Sequence, residues 1–261
     1  MNTSETRVNL ELAMDVARRA VKSAGDAALR HFGANISIER KADRSPVTAA
    51  DREAEAATLQ VIRAAFPDHS ILGEETGEHA GSSAARWIID PIDGTKGFTR
   101  GGSLWGPLVA LEIEGEVLAG AIALPALKKT YYAARGLGAF RDGRPLRVSS
   151  VEDWSEATLS LGEIQNLLAV PYREQVINLI SSASATRCEG DLASCAMLLE
   201  GRADVWLEAG VRIWDLAPLK VLVEEAGGRF TNFSGEEVVD EASAVATNGR
   251  IHDHVLAVLS G

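Results

Sequence analysis

The sequence has little cysteine and no long apolar run. Its two cysteines, Cys188 and Cys195, show no Cys-x-x-Cys spacing. This argues against a disulfide framework, and we expect both thiols to be buried in a reducing compartment. No apolar stretch approaches the ~18 residues of a membrane-spanning helix, and the polar N-terminus lacks the apolar core of a signal peptide. We therefore expect a cytoplasmic protein without a membrane partner.

Positive charge is also scarce. Lys and Arg number 26 against 37 Asp and Glu, giving a net charge of −11. A basic face for nucleic acid or anionic lipid is therefore not expected. The five histidines are scattered, and neither a Gly-x-Ser-x-Gly elbow nor a Walker A motif is present. The excess acid serves solubility, or alternatively several carboxylates gather to hold cations.

What is present is an ordinary globular pattern. Of the 261 residues, 46% are hydrophobic, which is enough for a core without disulfides. Apolar positions at helical spacing predict helices over residues 7–32 and 45–66. Strands follow, with a hairpin turning near Glu114, and strands then alternate with helices. We predict two lobes: residues 1–150 with the first helices and an antiparallel sheet, and residues 151–261 with an α/β pattern.

The stretch RWIIDPIDGTKGF concentrates chemistry in a few residues. Asp90 ends an apolar strand, and Pro91 stiffens the turn that returns Asp93 to the same cavity. Gly94 lets the backbone approach a ligand, and Thr95 begins a helical turn whose free N–H groups would face an anion. Carboxylates for cations beside N–H groups for phosphate indicate metal-assisted phosphoryl transfer. The alternative is that the two acids only cap the next helix.

Other acids occupy similar positions along the chain. Glu74 and Glu75 follow a short strand, and the alternative is a solvated pair after a turn. Asp215 begins a helix and could be only its cap. Asp51 lies in the first turn of a helix, where a negative charge is favourable in any case. Spacing alone does not unite these segments.

The motifs GEE, WIIDPIDGTKGF and WDLAPLKVLVEEAGG, in this order, resemble those of the inositol monophosphatase family of Mg²⁺-dependent, lithium-sensitive phosphatases. The resemblance covers almost the whole chain. It implies an α/β (α+β) fold, the layered α-β-α-β-α sandwich of the inositol monophosphatase and fructose-1,6-bisphosphatase type. It also implies two or three Mg²⁺ ions per active site and a homodimer.

The resemblance gives each matched residue a role. The implied metal ligands are Glu74, Asp90, the Ile92 carbonyl, Asp93 and Asp215. Gly94 and Thr95 would bind phosphate through their backbone N–H groups. Thr95, with Asp51 behind it, would orient the attacking water close to Glu74.

The stretch DGTKGFTRGGSLWG resembles the histidinol-phosphate phosphatase branch, although Ser103 stands where that branch usually has proline. Asp191 and Glu208 would face the amine and imidazole of such a substrate. The alternatives are a helix cap for Asp191 and a surface strand end for Glu208. Arg100 is a candidate substrate or subunit contact, or else a solvated loop charge.

Arg187 is a further candidate for substrate binding, and its alternative role is a structural ion pair. The predicted function is Mg²⁺-dependent hydrolysis of L-histidinol phosphate to L-histidinol and phosphate, in histidine biosynthesis. The alternative is an inositol-1-monophosphatase or a broad-specificity sugar or nucleotide phosphatase of the same family. A non-catalytic phosphate-binding relative would have lost a metal carboxylate or Thr95, and none is lost.

Overall fold

The computed structural model describes residues 8–34, 37–40, 46–169, 171–239 and 243–261. The helices of this part are α1 Leu10–Leu29, α2 Ala49–Ala65, α3 Thr95–Phe98, α4 Ile164–Leu167, α5 Arg173–Ser182, α6 Asp191–Leu199, α7 Ile213–Glu225 and α8 His252–Ser260. The strands are β1 Glu39–Arg40, β2 Pro46–Val47, β3 Ser70–Gly73, β4 Gly77–His79, β5 Ala85–Asp93, β6 Gly106–Ile113, β7 Glu116–Leu124, β8 Lys129–Ala134, β9 Gly138–Arg141, β10 Arg144–Pro145, β11 Thr158–Leu161, β12 Ala185–Arg187, β13 Val205–Ala209, β14 Arg229–Thr231 and β15 Ser243–Thr247.

Two sheets form the frame. The larger has the order β10-β9-β8-β7-β6-β5-β3-β4 and is antiparallel except where β3 runs parallel to β5. The smaller has the order β12-β11-β13-β15-β14, with parallel pairing on the β12 side and antiparallel pairing on the β14 side. Strands β1 and β2 pair separately as a short ribbon.

Side-chain alternation along the strands explains the layers. In β5, Trp87 and Ile89 pack with the residues of α1, whereas Ile88 packs on the opposite face with the residues of α6 and α7. In β13, Trp206 joins that same central core, and Leu207 faces the core that contains α5 and α8. The order of layers is therefore helix, sheet, helix, sheet, helix, and the predicted α-β-α-β-α sandwich is confirmed.

The predicted helices correspond to α1 and α2, although Arg7 and Ser45 of those predictions lie outside the described residues. Both helices begin where a side chain satisfies a free N–H: Asn9 accepts from Leu12 at 3.1 Å, and Thr48 caps α2. The β1–β2 ribbon, β4 and α4 were not predicted, because segments of two to four residues carry too little periodicity.

One expectation was wrong and another stays open. Cys188 is exposed, because it lies in the loop after the edge strand β12, whereas Cys195 is buried as expected. The division into lobes near residue 150 stays a prediction, since Leu108 and Trp206 from the two sides share one core. Within the described residues, no helix is both long and apolar enough to cross a bilayer.

The contact between β7 and α7 depends on a glycine. A Cβ added at Gly120 would lie 2.8 Å from Val221 Cγ1 and 3.0 Å from Pro218 Cα. We expect Gly120→Val to lower the free energy of unfolding by about 1–3 kcal/mol, because the helix must shift to admit the side chain. Urea denaturation measures this. Glu116→Val, at an exposed position of the same strand, is the control, and equal stability of the two variants would contradict this packing.

Candidate active site

A β-bulge places Asp90 and Asp93 on the same side of β5. Asp90 pairs with Leu108 of β6, and Asp93 pairs with Gly106, so three steps along β5 match two along β6. Residues three apart on a regular strand point to opposite faces, and the extra residue restores them to one face. Asp90 Oδ1 accepts the backbone N–H of Ile92 at 2.9 Å, which holds the turn from inside.

Glu74 reaches Asp90 because β3 and β5 are parallel neighbours. Gly73, the last residue of β3, is in register with Ile89, the residue before Asp90. The chain leaves β3 at this point, and the Glu74 N–H donates to the Ile89 carbonyl at 3.1 Å. The two carboxyl groups are close enough for the charge of Glu74 to raise the pKa of Asp90. The sequence left this pairing undetermined, and the sheet order supplies it.

Asp215 arrives from the start of α7. Its Oδ2 accepts the backbone N–H of Arg212 at 2.7 Å, so it does cap the helix, as the alternative interpretation held. Capping does not exhaust its role, because ligand atoms of Asp90, Asp93 and Asp215 all lie within 4.8 Å of one another. Asp93 in turn accepts the backbone N–H of Leu192, at the start of α6, at 2.6 Å.

The cluster carries uncompensated negative charge. Burial, followed by repulsion from Glu74, raises the pKa of Asp90 well above its usual range. Burial and then the charge of Asp191 do the same to the pKa of Asp93. Burial raises the pKa of Asp215 to about 7. Carboxyl groups of this kind either hold protons or require a cation.

The donors of this group suit Mg²⁺. Asp90, Asp93 and Asp215 all offer carboxylate oxygens, which are hard ligand atoms, and no histidine or cysteine belongs to this group. The Ile92 carbonyl accepts the Thr95 hydroxyl at 2.9 Å, and its role as a further ligand stays a prediction.

Asp51 and Thr95 meet beside the cluster. Asp51 is buried and accepts the Thr48 N–H and hydroxyl, each at 2.7 Å, through Oδ2. Its other oxygen lies 3.3 Å from the Thr95 hydroxyl. Asp51 is therefore both a first-turn charge of α2 and a neighbour of Thr95. Gly94, with φ of 81°, is the residue before α3, and its role in phosphate binding stays a prediction.

A cavity of about 300 Å³ connects the carboxylate cluster with Asp191 and Glu208, the acids predicted to determine specificity. Its lining includes Glu74, Asp93, Gly94, Thr95, Asp191, Glu208 and Asp215. Asp191 Oδ2 lies 3.1 Å from the position that a Cβ on Gly94 would take. The residue that caps α6 is Gly190, without a side-chain cap bond, so a helix cap does not account for Asp191.

Glu208 is held in place inside the cavity wall. It is 3% exposed, so it is not a surface strand end. Its Oε1 accepts the backbone N–H groups of Glu163 at 2.9 Å and of Ala209 at 3.1 Å. A Cβ on Gly162 would lie 1.5 Å from Glu208 Oε2, so a glycine is required there. Burial raises the pKa of Glu208 to about 8.

The two arginines lie outside this cavity. Arg100 and Arg187 are exposed and do not belong to its lining. Arg187 donates to the Thr186 carbonyl at 2.7 Å. Their assignment to substrate binding stays a prediction.

Sequence reasoning missed the three further charged or amide side chains of the lining, Lys96, Glu163 and Asn166. Lys96 directly follows Thr95, and its Nζ lies 3.9 Å from Glu163 Oε2. Lys96 was within the motif already singled out, so adjacency could have suggested it. Glu163 and Asn166 lie after β11, in a segment without any motif, and only the packing of β11 beside β13 brings them to Glu208.

Comparisons with known proteins give consistent matches. Residues 9–260 match the model of the inositol monophosphatase family. The chain is 42% identical to a histidinol-phosphatase of Mycobacterium tuberculosis, covering 88% of this chain and 90% of that protein. It is 38% identical to a histidinol-phosphatase of Chlorobaculum parvum, covering 96% of each. The crystal structure of the extragenic suppressor protein suhB from Bartonella henselae superposes with a TM-score of 0.87 at 30% identity, covering 95% of this chain and 98% of that one.

The raised pKa values predict how stability depends on pH. Unfolded carboxyl groups titrate near pH ~4, whereas Asp215 and Glu208 in the folded protein titrate at about 7 and about 8. Between these values the folded state binds more protons than the unfolded chain, so stability without metal falls as pH rises from about 4 to about 8.

Mg²⁺ competes with those protons, so it should raise the melting temperature more at pH about 8 than at pH about 5. Scanning fluorimetry at the two pH values measures this, with NaCl of equal ionic strength as the control. The same rise at both pH values would contradict the coupling.

Proposed function

This chain belongs to the inositol monophosphatase family, and on that premise we propose that it is a Mg²⁺-dependent phosphomonoesterase that hydrolyses L-histidinol phosphate to L-histidinol and phosphate. One observation carries the proposal: Asp93 and Asp215 of the carboxylate cluster line the same cavity as Asp191 and Glu208. The cluster suits a phosphate accompanied by cations, and the two further acids suit a cationic leaving group. The relatives named histidinol-phosphatase support the same substrate.

The residues that would hold Mg²⁺ are Glu74, Asp90, Asp93 and Asp215. Bound Mg²⁺ supplies Lewis acidity toward the phosphoryl oxygens and offsets the charge of the carboxylates. The sequence resemblance suggests two or three ions. The backbone N–H groups that hold Asp90, Asp93 and Asp215 fix their oxygens before any ligand binds.

Thr95 and Asp51 would orient the attacking water. The Thr95 hydroxyl lies 2.9 Å from the Ile92 carbonyl and 3.3 Å from Asp51 Oδ1, and with its one proton on either acceptor it has oxygen lone pairs free to accept a hydrogen bond from water. Asp51 is fixed by Thr48 and cannot turn away, so the Thr95 hydroxyl keeps its direction. Positioning of the attacking water contributes to catalysis in this way, and no covalent intermediate on the protein is needed.

Asp191 and Glu208 would bind the amine and imidazole of histidinol. A cationic group between the half-buried Asp191 and the buried Glu208 forms charge-assisted hydrogen bonds, and it offsets the desolvation that raises the pKa of Glu208. An uncharged polyol would not offset this desolvation of Glu208. A homodimer, which the family resemblance implies, and a cytoplasmic location remain part of the proposal.

The direct test compares kcat/KM for L-histidinol phosphate and inositol 1-phosphate with purified protein and Mg²⁺. We expect a preference of ~100-fold or more for histidinol phosphate, equal to about 2.7 kcal/mol of differential transition-state binding. Near-equal values would agree with phosphatase activity but would contradict histidinol phosphate as the preferred substrate. No turnover of either substrate would reject the proposal as a whole.

A second test concerns Asp191→Asn, which keeps the shape and removes the charge. We expect KM for histidinol phosphate to rise about 10-fold or more, because a hydrogen bond between charges is lost, with little change for p-nitrophenyl phosphate. Glu189→Gln, an exposed charge two residues away, is the matched control. Equal effects of Asp191→Asn on the two substrates would show that Asp191 does not bind the leaving group.

A further inference from the structure

Glu55 is a buried acid that the proposed chemistry does not use. It lies in α2, four residues after Asp51, and is 0% exposed. Its Oε2 accepts the backbone N–H of Glu75 at 2.9 Å, and its Oε1 accepts that of Thr76 at 2.9 Å. A buried carboxylate is costly unless such donors satisfy it. The two N–H groups come from the turn that begins with Glu74.

The residue before Glu74 also touches Glu55. A Cβ on Gly73 would lie 2.5 Å from Glu55 Oε1, so this position has to lack a side chain for the carboxylate to fit. Glu74 therefore stands between Gly73 and Glu75, which both lie against Glu55. Its own N–H donates to the Ile89 carbonyl of β5 at 3.1 Å. The backbone on both sides of Glu74 is thus fixed.

We propose that Glu55 is a positioning residue that fixes the turn carrying Glu74 and thereby the affinity of the site for Mg²⁺. Asp51 and Glu55, four apart, lie on one face of α2. The helix consequently places two parts of the site, Thr95 through Asp51 and Glu74 through Glu55. The inference rests on the proposed function, because it takes Glu74 to serve at the metal site.

Glu55→Gln tests this with almost no change of shape. Its amide NH₂ replaces one acceptor, so one of the two backbone N–H groups faces a donor. We expect Mg²⁺ affinity to fall about 10- to 100-fold, as for other residues that support metal ligands. Isothermal titration calorimetry with Mg²⁺ and without a phosphate substrate measures the affinity. Hydrogen exchange should also become faster at the amides of Glu75 and Thr76.

Glu53→Gln is the matched control, because it removes an exposed charge of the same helix that pairs with Arg30 at 3.2 Å. It should bind Mg²⁺ like the wild type. Gly73→Ala is the second variant, since it displaces the Glu55 carboxylate without altering it, and it should weaken Mg²⁺ binding in the same direction. The double variant with Glu55→Gln should lose little more than either single variant.

The outcomes separate this inference from the proposed function. Wild-type Mg²⁺ affinity in Glu55→Gln would overturn the positioning role, even if the variant were less stable. Wild-type affinity in Asp93→Asn would instead overturn the metal site itself. Loss of affinity in both variants, with normal binding in Glu53→Gln, supports the two together. If Glu55→Gln does not fold, Gly73→Ala decides by the same criterion.

Discussion

The mutual repulsion of buried carboxylates is the constraint on which the rest of this structure depends. Several acids converge on one cavity, where burial alone disfavours their charged forms. The fold counters this by giving four of these acids a backbone N–H donor. The acids held in this way are Asp90, Asp93, Glu208 and Asp215, with Leu192 and Arg212 donating from the first turns of helices. The remaining charge is what makes the site suited to cations.

The convergence itself comes from an irregular strand and an unusual pairing. The bulge in β5 turns Asp90 and Asp93 to one side, and the parallel pairing of β3 with β5 sets Glu74 beside them. An all-antiparallel sheet would run β3 in the opposite direction, and the turn after it would lie at the other end. Within the described residues, β3 and β5 are the one parallel pair of the larger sheet. This pairing brings Glu74 to Asp90 and Asp93.

The sequence predicted most of the frame, because α1, α2 and the β6–β7 hairpin have clear periodicity. It also predicted that Asp90 and Asp93 share a cavity, but attributed this to Pro91, whereas the bulge also requires the pairing with β6. Glu55 could not be recognised, since one more acid in a charged helix has no pattern of its own. The role of such a residue depends on a turn 20 residues away that only tertiary structure brings close.

Charge also sets the order in which ligands can bind. A dianionic phosphate that enters the metal-free cavity meets the carboxylates of Glu74, Asp93 and Asp215, with Lys96 as a cation on the lining. Above the raised pKa values of Asp93 and Asp215 these acids are ionised, and Coulomb repulsion then opposes the substrate until cations neutralise them. Asp191 and Glu208 have the reverse preference, because burial raises the pKa of both and a cation beside them stabilises their charged forms. A substrate that carries a phosphate and a cationic group therefore suits both the metal-holding acids and the pair Asp191 and Glu208, whereas the phosphate of an uncharged alcohol suits only the first set.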